Sequence, residues 1–178
     1  MKSEKEKMLS GELYTASDAE LTRLRENARH IFRKYNTNPK KELLEKLFQK
    51  KFKKITIEPP FYCDYGINIE LGENIYMNFN CTILDCAKVK IGDNTLLAPN
   101  VQIYTATHTL DYQTRIEELE YAKPITIGRN CWLGGGVIVL PGVEIGDNSV
   151  IGAGSVVAKS IPPNSLAVGN PCKVIKKI

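Results

Sequence analysis

A mainly β fold, a parallel β-helix fronted by an N-terminal α-helical segment and interrupted by one projecting loop, is what this sequence predicts. Three observations point to it. From residue 55 onward aliphatic residues recur every six positions, four tetrapeptides of the form aliphatic-Gly-x-Asn fall at related spacings, and one polar stretch has no period at all.

The helical segment comes first. Residues 1 to about 54 are rich in Lys, Glu, Leu and Arg, carry a single Pro and place apolar residues at helical spacing. Ser17-Asp18-Ala19-Glu20 reads as a capping box opening a helix that runs to about Tyr35, the hydroxyl and the carboxylate satisfying N–H groups that the first turn leaves free. Asn36-Thr37-Asn38 breaks this helix. Pro39 suits the first turn of the next one, and Leu43, Leu44, Leu47 and Phe48 give it an apolar stripe. Lys50, Lys51, Lys53 and Lys54 then close it, where cations favour the carbonyl end of the helix dipole.

The six-residue period follows. Ile91-Gly-Asp-Asn-Thr-Leu, Leu97-Ala-Pro-Asn-Val-Gln and Ile103-Tyr-Thr-Ala-Thr-His resume, after a gap, as Ile127-Gly-Arg-Asn-Cys-Trp and as units led by Leu133, Val139, Ile145, Ile151 and Val157. A looser register starts at Leu71, Met77 and Ile83. Each hexad supplies a short extended face and a corner, so the leading aliphatic and the residue four positions on point inward, and three hexads make one coil. The tetrapeptides beginning at Leu71, Ile91, Ile127 and Ile145 agree, with spacings of 20, 36 and 18 residues, 18 being one coil. The middle spacing holds 18 residues too many, and the excess falls in residues 107–124, which are polar and without period. The chain therefore divides into a helical segment, 1–54, and a β-helix domain, 55–178, with a projecting loop at 107–124 and a C-terminal tail. Long loops of this kind in compact domains tend to carry function. Periodicity alone leaves the hand of the coil open.

Charge and composition exclude several classes. An excess of four positive charges, from 24 Lys and Arg against 20 Asp and Glu, is too small and too scattered for a nucleic-acid groove. The charged N-terminus is followed by no apolar stretch long enough for a signal peptide or membrane span, which predicts a cytoplasmic protein without a membrane partner. Cys63, Cys81, Cys86, Cys131 and Cys172 form no C-x-x-C pair and read as reduced, buried thiols. Two histidines, His30 and His108, are too few for a three-histidine zinc site, so no metal is expected.

Six segments carry a resemblance: Gly11-Glu-Leu-Tyr14, Phe61-Tyr-Cys-Asp-Tyr-Gly66, Tyr76-Met-Asn-Phe-Asn80, Tyr104-Thr-Ala-Thr-His108, Asn130-Cys-Trp-Leu-Gly134 and Gly169-Asn-Pro-Cys-Lys-Val-Ile-Lys176. In this order they resemble the hexapeptide-repeat acetyltransferases, in the group of maltose, galactoside and nodulation-factor O-acetyltransferases. The match spans nearly the whole chain. It implies a left-handed β-helix assembled as a homotrimer, an active site in each cleft between subunits, and direct transfer of acetyl from acetyl-coenzyme A to a sugar hydroxyl in a ternary complex.

His108 matches the family's catalytic histidine at the start of the loop. An ordinary imidazole, titrating at about 6.5, can take the proton of a hydroxyl as its oxygen attacks a thioester. His30, on a helix, reads as a surface or packing residue. Attack creates a tetrahedral oxyanion that needs an N–H aimed at it with no side chain in the way. The resemblance puts that N–H at Gly135, although Gly134-Gly135-Gly136 can also serve only to permit a tight corner. Asn78 matches the residue that binds the acceptor hydroxyl and stabilises the transition state, and is otherwise a corner Asn. Acceptor contacts are implied for Asp64, Tyr76 and Asp85, with Arg23 and Glu120 as further candidates. For coenzyme A, Ala98, Ala153 and Ala158 leave room for the pantetheine arm, while Lys159, Lys173 and Lys176 would face its phosphates or stand as solvated surface lysines. Three departures bear on the family pattern. Thr109 stands where many relatives have Pro, Cys86 where galactoside-type relatives have a second Asp, and Met77 where they have Ala. Beside sugar acetylation stand two other readings, O-acetylation of a xenobiotic or antibiotic hydroxyl and a non-catalytic scaffold. His108 and Asn78 argue against the scaffold.

Overall fold

The computed structural model describes residues 1–178. Its N-terminal segment holds three helices, α1 (Glu4–Ser10), α2 (Ala19–Thr37) and α3 (Lys41–Leu47). The cap of α2 corrects the expectation. Asp18, not Ser17, is the N-cap, and one of its carboxylate oxygens accepts from the N–H groups of both Glu20 and Leu21. A carboxylate there also meets the positive end of the helix dipole. The capping box sits earlier, at Ser3 and Glu6 ahead of α1. α2 continues past Tyr35 to Thr37, and α3 starts only after Pro39 and Lys40 and stops before the lysine run. Ala28, Ile31, Phe32 and Tyr35 with Leu44, Leu47 and Phe48 close over the first coil, sharing one apolar core with Ile57, Phe61 and Cys63. Asn36 pins this lid by donating to and accepting from the backbone of Phe61.

From Ile55 the chain winds into a three-walled prism. The first wall stacks Ile55–Ile57, Ile75–Met77, Leu96–Leu97, Trp132–Leu133, Val150–Ile151 and Ser165–Val168. Phe61–Cys63, Cys81–Leu84, Gln102–Tyr104, Ile138–Val139 and Val156–Val157 make the second, and Ile69–Leu71, Val89–Ile91, Ile125–Ile127 and Glu144–Ile145 the third. Neighbours in these stacks are parallel. The strand Lys173–Lys177 alone runs antiparallel, against Ser165–Val168. The inward columns are those of the hexads: Leu71, Ile91, Ile127 and Ile145; Met77, Leu97, Leu133 and Ile151; Ile83, Ile103, Val139 and Val157, all buried. Stacking these columns coil upon coil removes apolar surface that no single coil could hide.

The three edges of the prism differ in purpose. Where the third wall turns into the first, Asn74, Asn94, Asn130, Asn148 and Asn164 sit in the left-handed region, and their side-chain amides form a ladder with spacings of 2.8, 3.1, 2.8 and 2.9 Å. Asn tolerates this conformation better than other residues with a Cβ, and its amide both donates and accepts. Asn130→Ala breaks two rungs and is expected to cost about 1–3 kcal/mol, read as a lower urea midpoint at constant m-value.

Where the second wall turns into the third, the chain is longest. From one inward residue to the next this edge takes six positions between Val139 and Ile145, eight between Cys63 and Leu71 and between Ile83 and Ile91, and 24 between Ile103 and Ile127. The surplus of the early coils and the whole projecting segment thus lie on one edge. That segment is not structureless, as its lack of period suggested. Ala106–His108 and Leu119–Ala122 pair antiparallel around the short helix α4 (Tyr112–Ile116), and the N-terminal strand Tyr14–Thr15 adds a third strand. A second small core of Met8, Tyr14, Leu21, Tyr65, Cys86, Ala87 and Ala122 fastens the N-terminal segment to this edge.

Candidate active site

His108 ends its strand on the second-to-third edge and is exposed. Glu120 lies directly opposite it, and Tyr14 lies opposite Glu120 on the other side. The Tyr14 hydroxyl donates to Glu120 Oε2 at 2.9 Å. Behind this row the Cys86 thiol donates to Asp64 Oδ2 at 3.5 Å. Burial holds the Asp64 carboxyl above its usual range, while the Cys86 thiol, Arg25 and Arg29 pull the other way. Burial next to Asp64 also pushes the Cys86 thiol well up, so it stays protonated. A histidine at the mouth of an edge lined by carboxylates is suited to proton transfer with a polyol.

Asn78, Gly135, Ala98 and Ala153 occupy a different edge, where the first wall turns into the second. The N–H groups of Asn78, Ala98 and Gly134 donate down one column to Leu97, Leu133 and Ile151 carbonyls. Asn78 Oδ1 accepts from the Phe79 N–H at 2.8 Å, which leaves its NH₂ group as the free donor. The three glycines separate cleanly. A Cβ on Gly134 would lie 2.6 Å from Ala153 N, and Gly136 has φ +68°, so packing demands the one and conformation the other. At Gly135 a Cβ would meet only Pro99 O at 3.4 Å, an ordinary contact. Its N–H finds no acceptor in the chain. The tight-corner explanation therefore accounts for Gly134 and Gly136 but not for Gly135, whose free N–H is what an oxyanion site requires.

Two family profiles match the chain, "Maltose acetyltransferase hexapeptide capping motif" over residues 7–51 and "Bacterial transferase hexapeptide (six repeats)" over residues 124–159. The crystal structure of a maltose O-acetyltransferase from Clostridium difficile 630 superposes with a TM-score of 0.97 at 52% identity, over 99% of this chain and 98% of that one. The chain belongs to the hexapeptide-repeat acetyltransferases. A galactoside acetyltransferase in complex with coenzyme A is 40% identical with a TM-score of 0.91, over 100% of this chain and 92% of that one. A hexapeptide-repeat acetyltransferase of Vibrio cholerae O1 biovar eltor, complexed with acetyl coenzyme A, is 37% identical with a TM-score of 0.91, over 99% and 98%. The prism of this acetyltransferase is the left-handed β-helix of its family.

The other expected residues lie on several faces of the acetyltransferase. Tyr76 stands on the outer face of the first wall, in register with Leu96 and through it with Trp132. Ala98 and Ala153 share the edge of Gly135, Ala158 and Lys159 are exposed after Val157, and Lys173 and Lys176 lie on the exposed antiparallel strand. Arg23 points to solvent on α2. Arg25 is the arginine of α2 that turns toward this edge, donating to the Tyr65 hydroxyl at 2.8 Å and to Ala16 O at 2.7 Å. The helical stripe Leu21, Ala28, Phe32 passes through Arg25 and not Arg23, a signal readable in the sequence. An open concavity of about 1040 Å³ between α2 and α3, around Arg29, Arg33 and Lys40, contains none of the expected residues. No three His, Cys, Asp or Glu side chains are grouped to hold a metal ion, and no helix is long and apolar enough to cross a membrane.

Asp85 is a correction. It is fully buried, Oδ1 accepting from the N–H groups of Asp64 and Tyr65 and Oδ2 from that of Asn68. Sealed in this way it ties the widened corner together and cannot reach an acceptor. Burial, with the charge of Asp64 adding to it against the backbone donors, pushes its carboxyl up to about 7. An unfolded aspartate titrates at about 3.9, so between about pH 4 and 7 the folded chain keeps a proton the unfolded chain has lost. Stability falls as pH rises through that window and levels off above it. Asp85→Asn is expected to flatten this slope in a series of melting temperatures, and an unchanged slope would assign it to other groups.

Proposed function

We propose that the protein transfers acetyl from acetyl-coenzyme A to a hydroxyl of a sugar of the maltose, glucose or galactoside type, with His108 as general base. The reading is carried by the placement of His108, exposed at the mouth of a carboxylate-lined edge, in a chain whose only other histidine lies on α2. The likeness to a maltose O-acetyltransferase and to structures holding coenzyme A or acetyl coenzyme A supports donor and acceptor class. His108 takes the hydroxyl proton, the oxygen attacks the thioester carbonyl, and the oxyanion meets the Gly135 N–H and the Asn78 NH₂. Collapse expels the coenzyme A thiolate, which His108 can reprotonate. A buried, protonated Cys86 favours direct transfer over an acyl-cysteine. Five buried thiols and the need for acetyl-coenzyme A favour the cytoplasm.

Within one chain the second wall stands between His108 and the edge of Gly135, Asn78, Ala98 and Ala153. A homotrimer would set the His108 edge of one subunit beside the Gly135 edge of the next, making each cleft a shared site. The outer face of the first wall supports this, since Tyr76, Leu96, Trp132, Val150 and Leu166 form one cross-strand row, with Leu96 and Trp132 47% and 53% exposed in the single chain.

The test is acceptor profiling. The protein would be incubated with acetyl-coenzyme A and maltose, glucose, galactosides or a hydroxylated antibiotic, with free thiol followed over time and mass measured by sedimentation. Release with a sugar and a mass of three chains are expected. Release only with the antibiotic, or full activity in a monomer, would overturn the acceptor or the shared cleft respectively.

A further inference from the structure

Glu120 stands between two partners in a row that crosses three strands drawn from distant parts of the chain: Tyr14, Glu120, His108. Residues paired in such a row project from the same face of an antiparallel sheet, with Cβ atoms about 4.5–5.5 Å apart. That face is the inner one, because Ala106 and Ala122, two positions along from His108 and Glu120, pack on the small core of Met8, Leu21 and Tyr65. Tyr14 holds Oε2 of Glu120, while Oε1 takes no hydrogen bond from the chain. Tyr14 is itself immobilised, completely buried on a strand whose Thr15 N–H is held by Glu4 at 2.6 Å. Burial, with Cys86 and Glu120 beside it, pushes the phenol far above its ordinary range, so it remains a donor at any working pH. Asp64 adds a second carboxylate near Glu120.

We propose that Tyr14 and Glu120 form a brace for His108: a rotation of the exposed imidazole sets one ring N–H on the open Oε1 of Glu120 and presents the other ring nitrogen to the acceptor hydroxyl, and Tyr14 fixes the carboxylate that receives it. Both are positioning residues, and the N-terminal strand is thereby part of the active-site machinery. This assigns Glu120 to the histidine and not to the sugar. The inference rests on His108 being the base.

With two histidines in the chain, long-range ¹H–¹⁵N spectra of the ¹⁵N-labelled full-length protein report the tautomer of His108 directly, and His30 serves as internal reference. Tyr14→Phe keeps the buried ring, and Glu120→Gln keeps the shape of the side chain. Wild type is expected to show one dominant His108 tautomer, and both variants a mixed population with His30 unmoved. Sugar acetylation should lose at least about tenfold in kcat with KM changed less than about threefold. An unchanged His108 ring in both variants would overturn the brace whatever their activity, as would a rise in KM with kcat intact, which would return Glu120 to sugar binding. The His108→Ala variant keeps the two ideas apart. If it is inactive while the ring spectra do not respond, the brace alone fails; if it is active while they do respond, the brace stands and the base assignment fails.

Discussion

His108→Ala is expected to lower turnover at least about a hundredfold, the low end of what removing a general base costs. The side chain is exposed at the end of a strand, so its loss leaves the fold intact. Without an imidazole the sugar hydroxyl attacks as a neutral alcohol, and the Gly135 N–H stabilises an oxyanion that seldom forms. The loss should therefore fall on kcat, with KM for the sugar little changed, because the groups proposed to hold the sugar remain. His30→Ala is the matched control and should be neutral. Thiol release measured on both variants checks this, and retained turnover in His108→Ala would remove the enzymatic reading.

Gly92→Ala is expected to cost about 3 kcal/mol or more, a large part of the stability of a single domain. A Cβ there would lie 2.6 Å from Arg129 N, 2.7 Å from Gly128 C and 2.9 Å from Arg129 Cα. All three are backbone atoms of the next coil, so no rotamer change relieves the clash. Relief requires the coils to part, breaking the Gly92 N–H bond to Ile127 O at 2.8 Å and the neighbouring Asn94–Asn130 rung. Gly136→Ala is the control. It has open space around it and pays only for φ +68°, about 1 kcal/mol. Urea melts of the two variants should differ by at least about 2 kcal/mol by these two figures; equal stability would contradict the close stacking of coils.

The prism was legible because its packing repeats. Every lead aliphatic meets the one a coil earlier, so Leu71, Ile91, Ile127 and Ile145 had to be alike. The same repetition explains why Met77, noted as a departure from the family pattern, is fully buried in an inward column. The second-to-third edge was not legible, since its parts interrupt the period and meet only in three dimensions: Tyr14, Asp64, Cys86 and Glu120 share no local pattern. Its hairpin read as loop because Thr107, His108, Glu120 and Tyr121 alternate faces too briefly to register as strands. Asp85 is a sugar contact on resemblance alone, which carries over a carboxylate but not the three N–H groups that enclose it. Gly135 could be named from resemblance, whereas its separation from His108 by a wall required the coils to be counted in space.

The strand Lys173–Lys177 has a consequence for how the molecule behaves in a crowd. A stack of parallel coils offers at its open rim a template onto which another stack could dock and grow, chain after chain, into a filament. Here the rim of the first wall is finished by a strand of opposite polarity bearing Lys173, Lys176 and Lys177. A newcomer approaching that rim meets a reversed hydrogen-bonding pattern, and if it is another copy, a facing set of like charges. Direction and repulsion together oppose end-to-end growth at that rim.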